Sequence, residues 1–395
     1  SLFRQHPQSV EVLSSYALQL AEMGQMAAGL DVLELGRERF DTDARFQNSF
    51  GLVLMCEDRF ADSIEHFTNA VELDPQVAVY WYNLGLARCN NQQPEQAIAS
   101  YRKAIDVQDN YYRAWINLGT TLVDLEQLGE GQQALARVVE LRPRDAMAWH
   151  RLGNVQRLRD QPEAAVHSLR QAIKFDMDSI PSWELLVRLL EETEQHDEAI
   201  NALEDWLNRH PDHPIATHMQ AALSGDSTPN RASREYVEAV FDVFADSFND
   251  SLRRLDYHTP EQVGQLLQQQ LGESQSWRVL DAGCGTGLVG PFLRPLAVHL
   301  VGGDLSSKML EHAEQTGSYD ALAQADLVEY LEQPNEPFDL IVVVDTLNYF
   351  GDLTDVMRLL FQSLRPGGYL LFTVEEGPLM GDDGYYLQLH GRYVH

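Results

Sequence analysis

The chain has 395 residues, with 60 acidic against 29 basic side chains and a formal charge of -31 at pH 7. A chain this acidic repels phosphate backbones, which argues against a nucleic-acid substrate, and no apolar run reaches membrane length. Cys56, Cys89 and Cys284 make neither a disulfide framework nor a metal pattern, and the histidines lack H-x-x-x-H and H-E-x-x-H spacing, so no metal is implied.

The length predicts two or three domains, and the first is repetitive. Trp81, Trp115, Trp149 and Trp183 recur every 34 residues. Leu84, Leu118, Leu152 and Leu186 follow three positions later, on the same helix face. Gly51, Gly85, Gly119 and Gly153 take the small-residue position of a first helix. Ser63, Ala97, Gly131, Ala165 and Ala199 take that of a second. Pro75, Pro143 and Pro211 close alternate repeats, because proline stops a helix. The pattern resembles the tetratricopeptide (TPR) repeat. That resemblance implies an α-helical solenoid of six helix pairs, over 10–43, 44–77, 78–111, 112–145, 146–179 and 180–213. It also implies a concave groove that takes a protein or peptide. Candidate groove residues are Tyr82, Arg113, Asn117, His150, Arg151 and Asn154, only part of the set that grips a C-terminal carboxylate. The tryptophan stripe reads as core rather than as a cofactor box, so truncating one is expected to cost about 3–5 kcal/mol.

His213 to Leu223 reads as a capping helix, which carries the array over residues 1–223. Pro7 stands in register with the later prolines and suggests an earlier repeat cut short. Residues 224–232 are a linker by composition. A lead segment, 233–276, follows, with Tyr236, Phe241, Phe244 and Phe248 on a helix as core. Tyr257 and His258, just before Thr259-Pro260-Glu261, are placed for a ligand.

From Trp277 the pattern becomes α/β. Val279-Leu280 end a strand with Asp281 at its tip, and Gly283-Cys284-Gly285-Thr286-Gly287 form a tight loop. Glycines there permit positive φ and close backbone approach to a ligand. Leu288 stands where a G-x-G-x-x-G motif needs its third glycine. A second strand, 298–303, ends in Asp304, an acid spaced to accept ribose hydroxyls. Asp326 follows a third apolar stretch, and the fourth strand, 338–344, ends in Asp345. A helix over 353–364 breaks at Arg365-Pro366-Gly367-Gly368, and a fifth strand covers 369–374. Near-continuous apolar strands suit a parallel sheet buried on both faces.

The G-x-G-x-G loop and this order of acids resemble the S-adenosylmethionine (SAM) site of class I methyltransferases, over Trp277 to Glu376. The implied fold is a doubly wound, Rossmann-like α/β domain over 277–395. The implied cofactor set is Asp281, Gly283, Cys284, Gly285, Thr286, Gly287, Asp304, Leu305, Met309, Asp326, Leu327 and Asp345. Leu305 and Met309 would lie against adenine, and Asp326 would accept from its amino group. Asp345 would hold the methionine ammonium or orient the acceptor. Tyr349 and His258 join Asp345 as candidate catalytic groups, with His390 a weaker one. Cys284 is read as the small residue the loop needs, not as a nucleophile. A Rossmann-type domain for another nucleotide is the alternative.

The stretch Asp345-Thr346-Leu347-Asn348-Tyr349 lacks the N/D-P-P-Y pattern of base and glutamine-amide methylation, and the Pro-Cys pair of cytosine-C5 enzymes is absent. The lead segment resembles the cap of quinone-biosynthesis methyltransferases. The whole order resembles bacterial TPR-containing methyltransferases. This implies SAM-dependent transfer to a small molecule or to a protein recruited by the array, with S-adenosylhomocysteine as product, in the cytoplasm. The other reading is a TPR scaffold with a SAM-binding but weak or inactive domain. Class I domains add a helix and two strands after the fifth strand. No apolar run remains before His395 to form them, so the sheet is expected to lack its last strands through truncation, with weak turnover.

Overall fold

The computed structural model describes residues 9–224, 229–271, 276–377, 385–388 and 392–395. Pro7, His390 and linker residues 225–228 lie outside them. The chain divides into two compact units, Ser1–Glu194 and Gln195–His395. Among the described residues no helix is long and apolar enough to cross a membrane.

The first unit is built of antiparallel helix pairs. Ala44–Cys56 pairs with Phe60–Leu73, Ala78–Asn90 with Pro94–Val107, Tyr112–Asp124 with Leu128–Leu141, and Ala146–Leu158 with Pro162–Phe175. Starts are set by side-chain caps at Asp43 and Asp145, and by proline in the first turn at Pro94 and Pro162. Each repeat glycine faces a large side chain of its partner helix. A Cβ on Gly85 would lie 2.5 Å from the Tyr101 ring, and one on Gly153 2.9 Å from Leu169. Between paired helices Asp58, Gln92, Glu126 and Asp160 take φ of 56°, 57°, 60° and 55°. In these turns the next amide bonds back across the helix end, as in Arg59 N to Leu54 O at 3.0 Å and Gln93 N to Arg88 O at 2.8 Å.

The tryptophan stripe needs correction. Trp183 is buried, but Trp81, Trp115 and Trp149 are half-buried at the edge of the core. Their indole N–H groups donate to the carbonyls of Pro75, Asp109 and Pro143 at 2.9, 2.7 and 2.9 Å. Each indole packs one face against the core and is long enough for its N–H to reach back over the preceding turn, as buried Trp183 also does to the Met177 carbonyl at 3.0 Å. The buried set includes Leu84, Leu118, Leu122, Leu135, Leu152 and Leu169, the rings of Phe67 and Tyr101, and the repeat alanines.

In the second unit His196–Arg209 and Pro214–Ser224 precede α1 (Arg234–Arg254) and α2 (Thr259–Leu271). Then follow β1 (Trp277–Ala282), α3 (Gly290–Leu293), β2 (Ala297–Asp304), α4 (Ser307–Gln315) and β3 (Ala321–Gln324). The chain continues through α5 (Leu327–Glu332), β4 (Phe338–Val343), α6 (Thr354–Gln362) and β5 (Leu364–Phe372). The five strands are parallel, in the order β3-β2-β1-β4-β5. Every residue of β4 is buried, as a sheet covered on both faces requires. The result is the doubly wound, Rossmann-like arrangement that the sequence implies.

One local expectation fails. Arg365–Gly368 does not separate helix from strand: it bulges inside β5, whose pairing runs Phe338 to Leu364 and resumes at Leu340 to Tyr369. Buried Asp339 anchors this bulge through Arg365 at 2.6 Å and the Arg278 amide at 2.8 Å. Among the described residues the parallel sheet stops at five strands, as expected, and β6 (Tyr386–Leu387) and β7 (Tyr393–Val394) pair antiparallel in a separate sheet. They carry no apolar run because each is two residues long. Leu387 and Tyr393 instead pack with Ala232 and Tyr236 in a small cluster.

Candidate active site

A cavity of about 330 Å³ opens at the C-terminal ends of β1, β2 and β4, below α1. This is where a doubly wound sheet binds ligands, at the reversal of strand order. Asp281, Gly283, Cys284, Gly285, Thr286, Asp304, Leu305, Met309, Asp326, Leu327, Asp345 and Tyr349 all line it. Gly287 and His258 do not. His258 is exposed and pairs with Asp256 at 2.9 Å.

The loop glycines serve three different ends. Gly283 (φ +78°) lies against Thr346, and an added Cβ would sit 1.9 Å from Thr346 Oγ1. Gly285 (φ +53°) has open space where its Cβ would be. Gly287 (φ +82°) backs onto Tyr319. Cβ atoms on Gly287, Gly290 and Gly302 would each come within 3.0 Å of the Tyr319 side chain. These three glycines therefore form a slot for one ring, and the Tyr319 hydroxyl donates to Asp281 Oδ2 at 2.7 Å. Burial pushes the Asp281 carboxyl up to about 7, against the Tyr319 hydrogen bond and helped by the Asp304 charge. The same burial, with both acids nearby, raises the Cys284 thiol well above its ordinary range, so it stays a neutral, small wall.

Asp304 is fixed from both sides. Its Oδ2 accepts from the Gly285 amide at 2.9 Å and its Oδ1 from the Ser306 amide at 2.9 Å. Burial raises this carboxyl, and those backbone donors oppose the rise. Asp326 caps α5 by accepting from Val328 and Glu329, and it also pairs with Arg231 at 3.1 Å. Asp345 takes a left-handed φ of 52°. Its amide donates to Thr373 Oγ1 at 2.7 Å, and that hydroxyl donates back to Asp345 Oδ1 at 3.0 Å. The Tyr257 hydroxyl donates to Asp345 Oδ2.

Helix α1 closes the roof. Phe241, Phe244, Phe248 and Leu252 face the cavity. The polar residues between them grip the loops below. Asp242 accepts from Ser306 Oγ at 2.6 Å, and Asn249 Oδ1 accepts from Thr286 Oγ1 at 2.7 Å. Sequence reading took this helix for its aromatics. The polar pair seven apart, Asp242 and Asn249, was the available signal. Tyr319, Arg231 and Arg392 were missed as lining or supporting groups, and none sits in a motif.

A methyltransferase-domain family model matches residues 255–390. Tetratricopeptide-repeat models match residues 66–99 and 116–180. The chain joins TPR repeats to a methyltransferase domain. It is 32% identical over 166 residues to malonyl-(acyl-carrier protein) O-methyltransferase of Yersinia pestis, covering 42% of this chain and 60% of that protein. It is 25% identical over 154 residues to ubiquinone biosynthesis O-methyltransferase of Photorhabdus laumondii, covering 37% and 63%. The chain thus spans less than two thirds of these relatives. A crystal structure of YrrB, a TPR protein with an unusual peptide-binding site, aligns with 46% of this chain and 93% of its own, at 19% identity and a TM-score of 0.40.

Proposed function

We propose that the second unit binds SAM and transfers its methyl group to an oxygen acceptor, and that the TPR groove recruits a protein or peptide. The observation that carries the cofactor reading is Asp304, held at the tip of β2 by the Gly285 and Ser306 amides and facing the cavity. The residues fit a nucleoside sulfonium. A rigid carboxylate suits a ribose diol, a loop with no Cβ at Gly285 admits the backbone close to the ligand, and Leu305, Met309 and Leu327 offer an apolar slot beside Asp326. SAM supplies an electrophilic methyl group on a good leaving group. The protein therefore contributes mostly proximity and orientation, potentially several kcal/mol of the barrier.

Within that scheme Asp304 and Asp326 orient the nucleoside, and Asp281 and Asp345 face its cationic end. The aromatic roof of α1 excludes water. The oxygen acceptor is supported by the relatives, which are O-methyltransferases by name. For the whole chain we assign the array with its capping helix to 1–223, a linker to 224–232, the lead to 233–276 and the methyltransferase core to 277–395. Calorimetry of the full chain with S-adenosylhomocysteine and with NAD tests the reading. S-adenosylhomocysteine is expected to bind and NAD not to. The reverse result overturns it, and binding without turnover on any acceptor favours the scaffold reading.

A further inference from the structure

We infer that Tyr257 and Asp345 form a proton relay for a hydroxyl acceptor, and that the acceptor is a phenol rather than a carboxylic acid or an amine. The inference rests on the cofactor reading above and adds the acceptor class and a catalytic residue to it. Both side chains line the cavity, and the Tyr257 hydroxyl donates directly to Asp345 Oδ2. The carboxylate cannot swing away. Its residue is held in a left-handed conformation, and Thr373 bonds both its amide and its Oδ1.

The surroundings decide what the pair can do. Burial raises the Tyr257 hydroxyl above its ordinary range, and the Asp345 hydrogen bond adds to this. Tyrosinate is therefore not stored at neutral pH. A phenol of this kind acts only by passing a proton on as it receives one. Thr259 also hydrogen-bonds Tyr257, and the charged and titratable neighbours are Arg392, Tyr349 and Glu375. Arg392 is not a vacant anion seat. It hydrogen-bonds Tyr349 and lies 3.8 Å from Glu375, which stands behind the cavity wall, so its charge is already matched from outside while Asp345 lines the cavity. That balance opposes a carboxylate acceptor, which moreover needs no base. An amine would meet Asp345 behind a neutral hydroxyl. A flat apolar body suits the rest of the wall, where Phe241, Phe244 and Phe248 pack edge to face.

The step balances as follows. The acceptor oxygen bonds the methyl carbon as the carbon–sulfur bond breaks and its electron pair goes to sulfur. The acceptor proton moves to Tyr257 Oη, and the proton of Tyr257 moves to Asp345.

The test is methyl transfer from SAM by the full chain to 2-naphthol, 2-naphthoic acid, 2-naphthylamine and 4-nitrophenol, for wild type and Tyr257→Phe. Wild type is expected to methylate the phenols. Tyr257→Phe is expected to lose on the order of 10²-fold in kcat for 2-naphthol at neutral pH. The loss should shrink as pH rises toward the acceptor's own pKa, and should be smaller for 4-nitrophenol, which ionises without help. A merely structural tyrosine would lower both phenols equally at every pH. That flat profile, methylation of the acid or amine alone, or transfer to none of the four by a protein that binds S-adenosylhomocysteine, overturns the inference. Absence of S-adenosylhomocysteine binding in wild type instead overturns the cofactor reading on which it stands.

Discussion

The Tyr319 hydroxyl donates to Asp281 Oδ2 at 2.7 Å from within a slot whose walls are Gly287, Gly290 and Gly302. One ring thus sets the position of the strand-tip acid and props the loop from behind. Tyr319→Phe keeps the ring and removes the donor. Asp281 is then left buried without its side-chain partner, and S-adenosylhomocysteine binding is expected to weaken by ~1–3 kcal/mol. Titration calorimetry checks this; an unchanged affinity would show that the hydroxyl does no positioning.

The raised Asp281 carboxyl makes the second unit sensitive to pH. The native chain keeps a proton up to about 7, whereas an unfolded aspartate releases it near 3.9. The favourable contribution is therefore complete below the unfolded value and is lost as pH rises through the folded one. Relative to Asp281→Asn, which cannot ionise, wild type should lose protection between about pH 4 and pH 7 and change little above that. Amide exchange over residues 277–304 reads this difference. A gap between the two proteins that stays constant with pH contradicts it.

The three loop glycines should respond differently to alanine. Gly283→Ala drives a methyl into Thr346, and Gly287→Ala drives one against Tyr319, so both should unfold the loop or markedly lower its stability. Gly285→Ala meets no atom and costs only the left-handed backbone, about 1–2 kcal/mol. Its methyl group occupies ligand space. Melting curves with and without S-adenosylhomocysteine separate the cases: Gly285→Ala should remain folded and lose the ligand-induced shift.

Asp304→Ala is expected to weaken S-adenosylhomocysteine by ~1.5–3 kcal/mol, the scale of hydrogen bonds to a charged group. Ser306→Ala loses the bond to Asp242 and the α4 cap but leaves both amide donors to Asp304, so its effect should be smaller. Equal losses in calorimetry would place the weight on the roof helix rather than on the carboxylate.

In the array, Trp149→Phe should cost only about 0.5–1.5 kcal/mol, since it mainly removes the bond to the Pro143 carbonyl. Leu152→Ala, in the buried set, should cost about 2–5 kcal/mol. Denaturant titration of the two variants gives the order directly.

The strands and the glycine loop were legible because burial on both faces leaves apolar runs in β1, β2 and β4, and because tight turns demand glycine at fixed spacing. The start of β5 was not. Its Pro and Gly are turn signals, and only the Asp339 to Arg365 pair, set by tertiary contact, makes them a bulge. Among site residues, Asp304 and Asp345 were readable from their places at strand tips. Tyr319 was not, because the glycines that house it look like cofactor glycines. Arg392 stands immediately before β7, a strand too short to leave a pattern. His258 looked as promising as Tyr257 one residue earlier, and only the end of α1 and the start of α2 decide which turns inward.

The left-handed turns at Asp58, Gln92, Glu126 and Asp160 are spaced by one full repeat, and so are the contacts beside them between a repeat glycine and a large side chain of the partner helix. A cut and a rejoining made at equivalent points of two such turns would restore the same backbone geometry and the same type of contact on each side. The array is thus free to lengthen or shorten by whole units through duplication or excision in the gene. Removal of residues 78–111 should give a shorter folded rod, while removal of any number not a multiple of the period would misplace every downstream contact. Reach, rather than sequence, is then the property that can vary most readily among descendants of this chain.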